Sequence, residues 1–283
     1  MSADDTRRLS LNQWTVRNWS VPEAVDGCAR HGIEAIGLWR EHVADFGLSR
    51  TARLVRDAGL RVSSLCRGGF FSRPGWPGDN RAAVDEAAAL GAECLVLVAG
   101  GLPSGLSVGA GDNSNERGAL GRGRERVAEA LDVLTPYARD RGVRLALEPM
   151  HPMYCADRGV VSTLKQALDL AAPYPPETVG VVIDTFHVWW DPEVDGQIAR
   201  AGRERRIASF QVGDFLSPLP ADVLLGRAVM GDGVIDFGPL CRAVTEAGYR
   251  GDVEVEIFNA DVWAADPDDV IGRVKGRYAE LVA

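Results

Sequence analysis

The sequence predicts an α/β fold of one kind: a single (β/α)8 TIM barrel occupying residues 1–283, with its active site at the C-terminal ends of the strands. Three observations carry this. Short β-rich runs alternate with amphipathic helical runs along the whole chain, the pattern of a parallel sheet covered by helices. Eight such pairs are counted, and eight within 283 residues close into a barrel of one domain. Finally, the long connections all follow strands, while those preceding strands stay short.

Taken in order, the strands are expected near 8–14, 34–39, 61–67, 93–99, 143–148, 178–184, 206–212 and 251–257. The helices between them are expected at Pro22–Arg30, Leu48–Asp57, Asn80–Leu90, Glu116–Arg139, Thr163–Ala171, Glu193–Ala201, Asp236–Ala247 and Pro267–Leu281. Five of the helices are punctuated by a glycine before the next strand: His31-Gly32, Ala58-Gly59, Leu90-Gly91, Arg141-Gly142 and Ala247-Gly248. The long connections are Gly68–Asp79, Gly100–Asn115, Pro149–Ser162 and Gly213–Val234, and they mark the working face.

Four strands share a detail that bears on chemistry. Side chains alternate sides along a strand. Leu145 and Leu147, Val181 and Ile183, Phe210 and Val212, and Val253, Val255 and Ile257 therefore point away from Glu148, Asp184, Gln211 and Glu256 respectively. Each strand thus has an apolar face and ends, on the other face, in one oxygen donor. Two glutamates, an aspartate and an amide oxygen form a hard donor set that favours one divalent ion, Mn²⁺ or Mg²⁺. Such a centre with open positions would chelate the carbonyl and adjacent hydroxyl of a substrate and stabilise the enediolate left when a neighbouring C–H proton is removed.

Proton removal needs a base, and Glu148 and Glu256 are the candidates. Glu254 shares the inward parity of Glu256 one pleat deeper and reads as structural. His151 and His187 each stand three residues beyond a predicted ligand, placed to donate to a substrate oxygen. Arg67, ending the third strand, and Arg227, in the loop after the seventh, are candidates for holding a substrate oxygen or carboxylate through paired donors. The tryptophans fall on the same face, Trp39 and Trp189 among them, and would wall a pocket for a sugar ring or other cyclic substrate.

Bulk composition narrows the partners. A net charge of -9 argues against a nucleic-acid phosphate backbone. The five cysteines are scattered and without a C-x-x-C pair, as in reduced cytoplasmic proteins. The opening MSADDTRRLSLNQW has no apolar core of a leader, and no apolar run approaches the roughly 20 residues of a membrane span. A small carbohydrate-like substrate is the expected partner.

The pieces LEPMHP around Glu148, IDTFHVWWD around Asp184 and His187, the strand end at Gln211, MGDGVIDF from Met230 to Phe237, and VEIF around Glu256 resemble the sugar phosphate isomerase/epimerase family, the xylose-isomerase-like barrels. The resemblance covers nearly the whole chain. It implies that Glu148, Asp184, Gln211 and Glu256 bind the metal, that the two glutamates serve as acid and base, and that His187 contacts substrate. It makes a dimer or tetramer the expected assembly. Many epimerases of the family carry histidine at the Gln211 place; glutamine there looks more like hydroxypyruvate isomerases and 3-dehydroshikimate dehydratases. They also carry a further glutamate where this chain reads Met150 to Tyr154. The expected activity is metal-dependent isomerisation or epimerisation of a hydroxy ketone, with a lyase sharing the first step as the alternative.

Overall fold

The alternation of apolar and polar residues resolves into ten strands in the computed structural model, which describes residues 6–102 and 118–283. They are β1 (Leu9–Asn12), β2 (Ala35–Trp39), β3 (Arg61–Gly69), β4 (Leu95–Val98), β5 (Leu145–Glu148), β6 (Val179–Asp184), β7 (Ile207–Val212), β8 (Asp214–Phe215), β9 (Arg227–Ala228) and β10 (Val253–Val255). Eight of them close a barrel in the order β1-β10-β7-β6-β5-β4-β3-β2. Every neighbouring pair around the ring, from β1 with β10 to β6 with β7, runs parallel. β8 and β9 form an antiparallel ribbon above it.

The main helices are Val21–His31, Leu48–Asp57, Trp76–Leu90, Ala119–Asp140, Leu164–Ala171, Val194–Arg203, Phe237–Glu246 and Pro267–Leu281. The third begins at Trp76 rather than Asn80, because Pro77 sits in its first turn, where a missing N–H costs nothing. An additional helix, Arg40–Phe46, follows β2. The expected helix start at Glu116 and most of the Gly100–Asn115 connection lie outside the described residues. No helix among the described residues is long and apolar enough to cross a membrane.

Two apolar layers result. Leu145, Leu147, Val181, Ile183, Phe210, Val212, Val253 and Val255 pack outward against helical residues such as Leu131, Leu168 and Ile271. Burial of each large aliphatic side chain is worth about 1.5–3 kcal/mol. Inside the barrel the cluster is made of small residues, Cys66, Cys94, Val96, Ala146, Val182 and Ala208, roofed by Trp39 and Phe258. Small interior residues leave room at the top for a cavity.

Irregularities in register aim particular side chains. Between β2 and β3, Ile36 pairs with Val62 but Gly37 with Ser64, an extra residue on β3. Between β3 and β4, Leu65 pairs with Leu95 but Gly68 with Leu97, a second extra residue. Bulges of this kind break the strict alternation and redirect side chains.

The loop after β7 is wound around one carboxylate. Asp214 Oδ2 accepts from the backbone N–H groups of Gly231 and Gly233 at 2.8 and 2.9 Å, and Oδ1 from that of Ile235 at 3.0 Å. A Cβ at Gly233 would lie 2.3 Å from the Phe215 carbonyl oxygen, so the G-D-G segment is required for the chain to pass so close. This staple holds β9 across the barrel mouth, and with it Arg227.

Candidate active site

The strand ends deliver a buried acidic floor. Glu148 ends β5, Asp184 ends β6, and Glu254 and Glu256 lie on and just past β10; all are 5% exposed or less. Among the described residues the one buried guanidinium that meets them is that of Arg227, itself 4% exposed. It donates to Asp184 Oδ2 at 2.6 Å and lies 3.1 Å from Glu256 Oε2. Its positive charge is held in place by the Phe186 ring, 4.6 Å below.

Four carboxylates against one arginine leave an excess of negative charge in a poorly solvated place. Burial, then Asp184 and Glu256, push the Glu148 carboxyl well above the usual range. Burial raises Glu256 to about 8 even though Arg227 pulls it down. Desolvation outweighs the ion pair there, as expected when one cation is shared among several carboxylates.

Glu254 is treated differently. Its carboxylate, one pleat below, accepts from Asn12 Nδ2 at 2.6 Å, Ser63 Oγ at 2.6 Å, Ser64 Oγ at 2.8 Å and Gln211 Nε2 at 3.1 Å. Ser63 and Ser64 are consecutive and reach the same group only because the first bulge lies at them. These bonds oppose the upward push of burial on Glu254. Asn12 also donates to Glu256 Oε1 at 3.1 Å, and its Oδ1 accepts from Trp39 Nε1 at 2.8 Å. One amide thereby ties the upper base to the structural glutamate and to the aromatic wall.

His187 is a neutral donor. Burial first, then Arg227 and His151, push its imidazole well below the ordinary value. Nδ1 accepts from the His151 backbone N–H at 3.1 Å, which places the single ring proton on Nε2. Nε2 and Arg227 Nη2, 3.2 Å apart, are then both donors, and both face Asp184 Oδ2, at 3.9 and 2.6 Å.

Above the floor opens a cavity of about 260 Å³. Glu148, Glu256, His187 and Arg227 line its polar side; Trp14, Trp39, Phe70 and Phe258 line the other, and Arg67 stands at its edge. Trp14 and Trp39 lie 4.4 Å apart between ring centroids, and Phe258 meets Trp14 at 5.5 Å and Trp39 at 5.6 Å. His151 and Trp189 are not among the lining residues. His151 Nδ1 accepts from Met153 N–H, and its ring packs on Trp190 and Phe215. Trp189 packs on Phe215 as well. Trp19 faces the first helix, where Gly27 makes room for its ring.

The donors fit a divalent cation. A carboxylate oxygen each from Glu148 and Asp184 and a ring nitrogen of His187 lie within 4.8 Å of one another; with Nδ1 taken and the proton on Nε2, His187 would stand beside the ion and the oxygens would be its ligands. Gln211, beside Asp184 in register, has its Oε1 buried with no hydrogen-bond partner among the described residues. A buried orphaned acceptor next to surplus carboxylates is what a cation would satisfy. In the described arrangement Arg227 bridges Asp184 and Glu256 instead.

A family model described as a xylose isomerase-like TIM barrel matches residues 25–275. Over 277 residues the chain is 24% identical to an inosose isomerase of Bacillus velezensis, covering 95% of this chain and 94% of the relative. Among solved structures, a protein of Sinorhizobium meliloti 1021 is 46% identical, with a TM-score of 0.90 and 98% of both chains covered. The IolI protein with a bound zinc atom has a TM-score of 0.74 at 20% identity, over 97% of this chain and 98% of that one, a likeness of fold.

Proposed function

The chain belongs to the xylose isomerase-like TIM-barrel family, and from that premise we propose that it is a divalent-metal-dependent isomerase or epimerase acting on a sugar-like hydroxy ketone. The observation that carries the reading is the floor itself: Glu148, Asp184 and Glu256 around Arg227, with the unpartnered Gln211 Oε1 beside them. An inosose isomerase among the relatives of similar length supports the reaction type.

Glu148, Asp184, Gln211 and Glu256 would hold the ion, which supplies Lewis acidity toward a carbonyl oxygen and offsets the surplus negative charge. The chain's own residues do the rest. Glu148 and Glu256 both line the cavity, one positioned to take a proton from the carbon next to the carbonyl and the other to return one. Asn12 fixes the Glu256 carboxylate by its hydrogen bond, so the base does not need to be oriented during reaction. The Nε2–H of His187, which lines the cavity, would donate to a substrate oxygen as a neutral donor, and Trp14, Trp39 and Phe258 would exclude water and give a ring a flat apolar surface.

Elimination of a β-substituent after the same proton removal would use the same residues. The test is to load the protein with Mn²⁺, incubate it in D₂O with hydroxy ketones, inososes and 3-dehydroshikimate, and follow the mixtures by NMR. Deuterium at the carbon next to the carbonyl together with an isomeric product is the expected result. An unsaturated product would reassign the protein to the lyases, and absence of exchange with every compound would overturn proton transfer as its chemistry.

A further inference from the structure

The cavity changes sign from floor to mouth. Glu148 and Glu256, 5% exposed or less, line its depth, while the more exposed Arg67, Arg158 and Glu41 line its edge. An adjoining cavity of about 360 Å³ shares Arg67 and Glu41 and adds Arg73 beside the Arg40–Asp79 ion pair. Arg67 points here because of the second bulge: Cys66 already faces the barrel interior, and strict alternation would send its neighbour outward to the helices.

These guanidiniums lack good counter-ions. Among the described residues the carboxylate nearest Arg67 is Glu41 Oε1 at 3.8 Å, beyond hydrogen-bond length, on a side chain 53% exposed. Among the same residues Arg158 meets Asp157 Oδ2 at 3.4 Å, and Asp157 is 63% exposed. Among the described residues Arg73 pairs with no carboxylate; its Cζ lies 4.2 Å from the Phe70 ring centroid, and Arg67 Cζ lies 4.3 Å from the same centroid. Burial lowers the Arg67 guanidinium's proton affinity, Glu41 opposes this, and Arg73 and Arg158 lower it further. Three like charges thus share one partly buried neighbourhood.

The backbone is committed to this arrangement. Phe70 has φ +49°, in the left-handed region that a bulky residue adopts only at a cost, and Gly69 before it has φ +97°. The outcome of that conformation is an aromatic spacer between two guanidiniums. A planar fork of donors with no hydrogen-bonded carboxylate among the described residues, at the entrance of a substrate cavity, is the chemistry that recognises an oxyanion.

We propose that Arg67, Arg73 and Arg158 form an oxyanion subsite, and that the substrate carries a carboxylate or phosphate at the end remote from the carbons that exchange a proton. The inference rests on the reading of this cavity as the substrate site. It narrows the substrate class from neutral hydroxy ketones to acidic ones.

Calorimetry on the Mn²⁺-loaded protein tests it with matched pairs: 3-dehydroshikimate against its methyl ester for the carboxylate, and fructose 6-phosphate against fructose for the phosphate. In one pair the charged member binds about tenfold tighter or more, and the preference weakens as salt is raised. Arg67→Gln combined with Arg73→Gln reduces that preference to about twofold or less, whereas Arg67→Lys, which keeps the charge, retains part of it. Equal affinity within both pairs, no binding by any of the four compounds, or a preference untouched by the double substitution overturns the proposal. Deuterium exchange without acid preference would remove the subsite and leave the proton-transfer reading standing; acid preference without exchange would do the reverse.

Discussion

Arg227 donates from Nη2 to Asp184 Oδ2 at 2.6 Å, the shortest link between a positive group and the acidic floor. The same guanidinium lies 3.1 Å from Glu256, so one side chain compensates two carboxylates at once. Replacing Arg227 by Met leaves the buried Asp184 carboxylate without its cation, a change that costs about 3–5 kcal/mol in comparable cases. The metal-free Arg227→Met protein is expected to melt well below the parent. Saturating Mn²⁺ should recover much of the difference, because the ion would supply the missing charge. Thermal melts of both proteins with and without Mn²⁺ check this; a deficit unchanged by metal would mean that the ion does not occupy the acidic floor.

The raised carboxyls predict how the metal-free protein responds to pH. Glu256 sits at about 8 in the fold against 4.5 as its ordinary value, and Glu148 is raised as well. A group raised by folding stabilises below its ordinary value, and that stability is lost as pH climbs through the folded one. Glu256 therefore makes the metal-free protein progressively less stable as pH rises from about 4.5 to about 8, and Glu148 acts in the same direction. A cation favours their charged forms, so its binding releases protons. Calorimetric metal titrations at pH 7 in buffers of different ionisation heat should show release; uptake, or none, would contradict protonated carboxyls at the site.

How far the sequence reveals this site depends on where its strands keep a period of two. Glu148, Asp184 and Glu256 stand at regular inward positions, and Gln211 does so relative to Phe210 and Val212, past a register shift lower in β7; the outward burial of Leu147, Ile183, Val212 and Val255 follows the same parity. Ser63, Ser64 and Arg67 stand at bulges, where parity gives the wrong side or none. Arg227 reads as a loop residue because its two-residue strand β9 is too short to show any period. Asn12 looks like an ordinary polar strand residue; only closure of β1 against β10 brings it to Glu254 and Glu256. His151 follows Glu148 by three residues, but Pro152 opens a turn that the His151 ring caps, drawing it toward Trp190.

Glu256→Gln tests the base directly. The amide is isosteric and its oxygen can still accept from Asn12, while its NH₂ replaces the acceptor that faces Arg227, so the fold should be retained with a modestly lowered melting temperature. Deuterium exchange into a substrate that the parent turns over should fall by roughly 10² to 10⁴. Exchange at the parental rate would remove Glu256 from the reaction and leave Glu148 as the other buried carboxylate lining the cavity.

Gly37→Ala tests whether the lower glutamate is fixed. A Cβ at Gly37, on β2, would lie 2.5 Å from the Glu254 carboxyl carbon and from Oε1. A long side chain ordinarily swings away from so small an intrusion. Glu254 cannot do so without breaking hydrogen bonds from Asn12, Ser63, Ser64 and Gln211, all buried. The substitution should therefore cost at the upper end of the roughly 1–3 kcal/mol typical of overpacked cores, despite the general benefit of replacing a strand glycine. Because Asn12 also holds Glu256, proton exchange should slow along with the loss of stability. Combining Gly37→Ala with Glu254→Gln separates the two effects: the amide keeps the volume of the carboxylate but gives up acceptor bonds, so the pair should be strongly non-additive. Denaturant melts of the four proteins measure the coupling, and simple additivity would mean that the methyl group meets something other than the buried carboxylate.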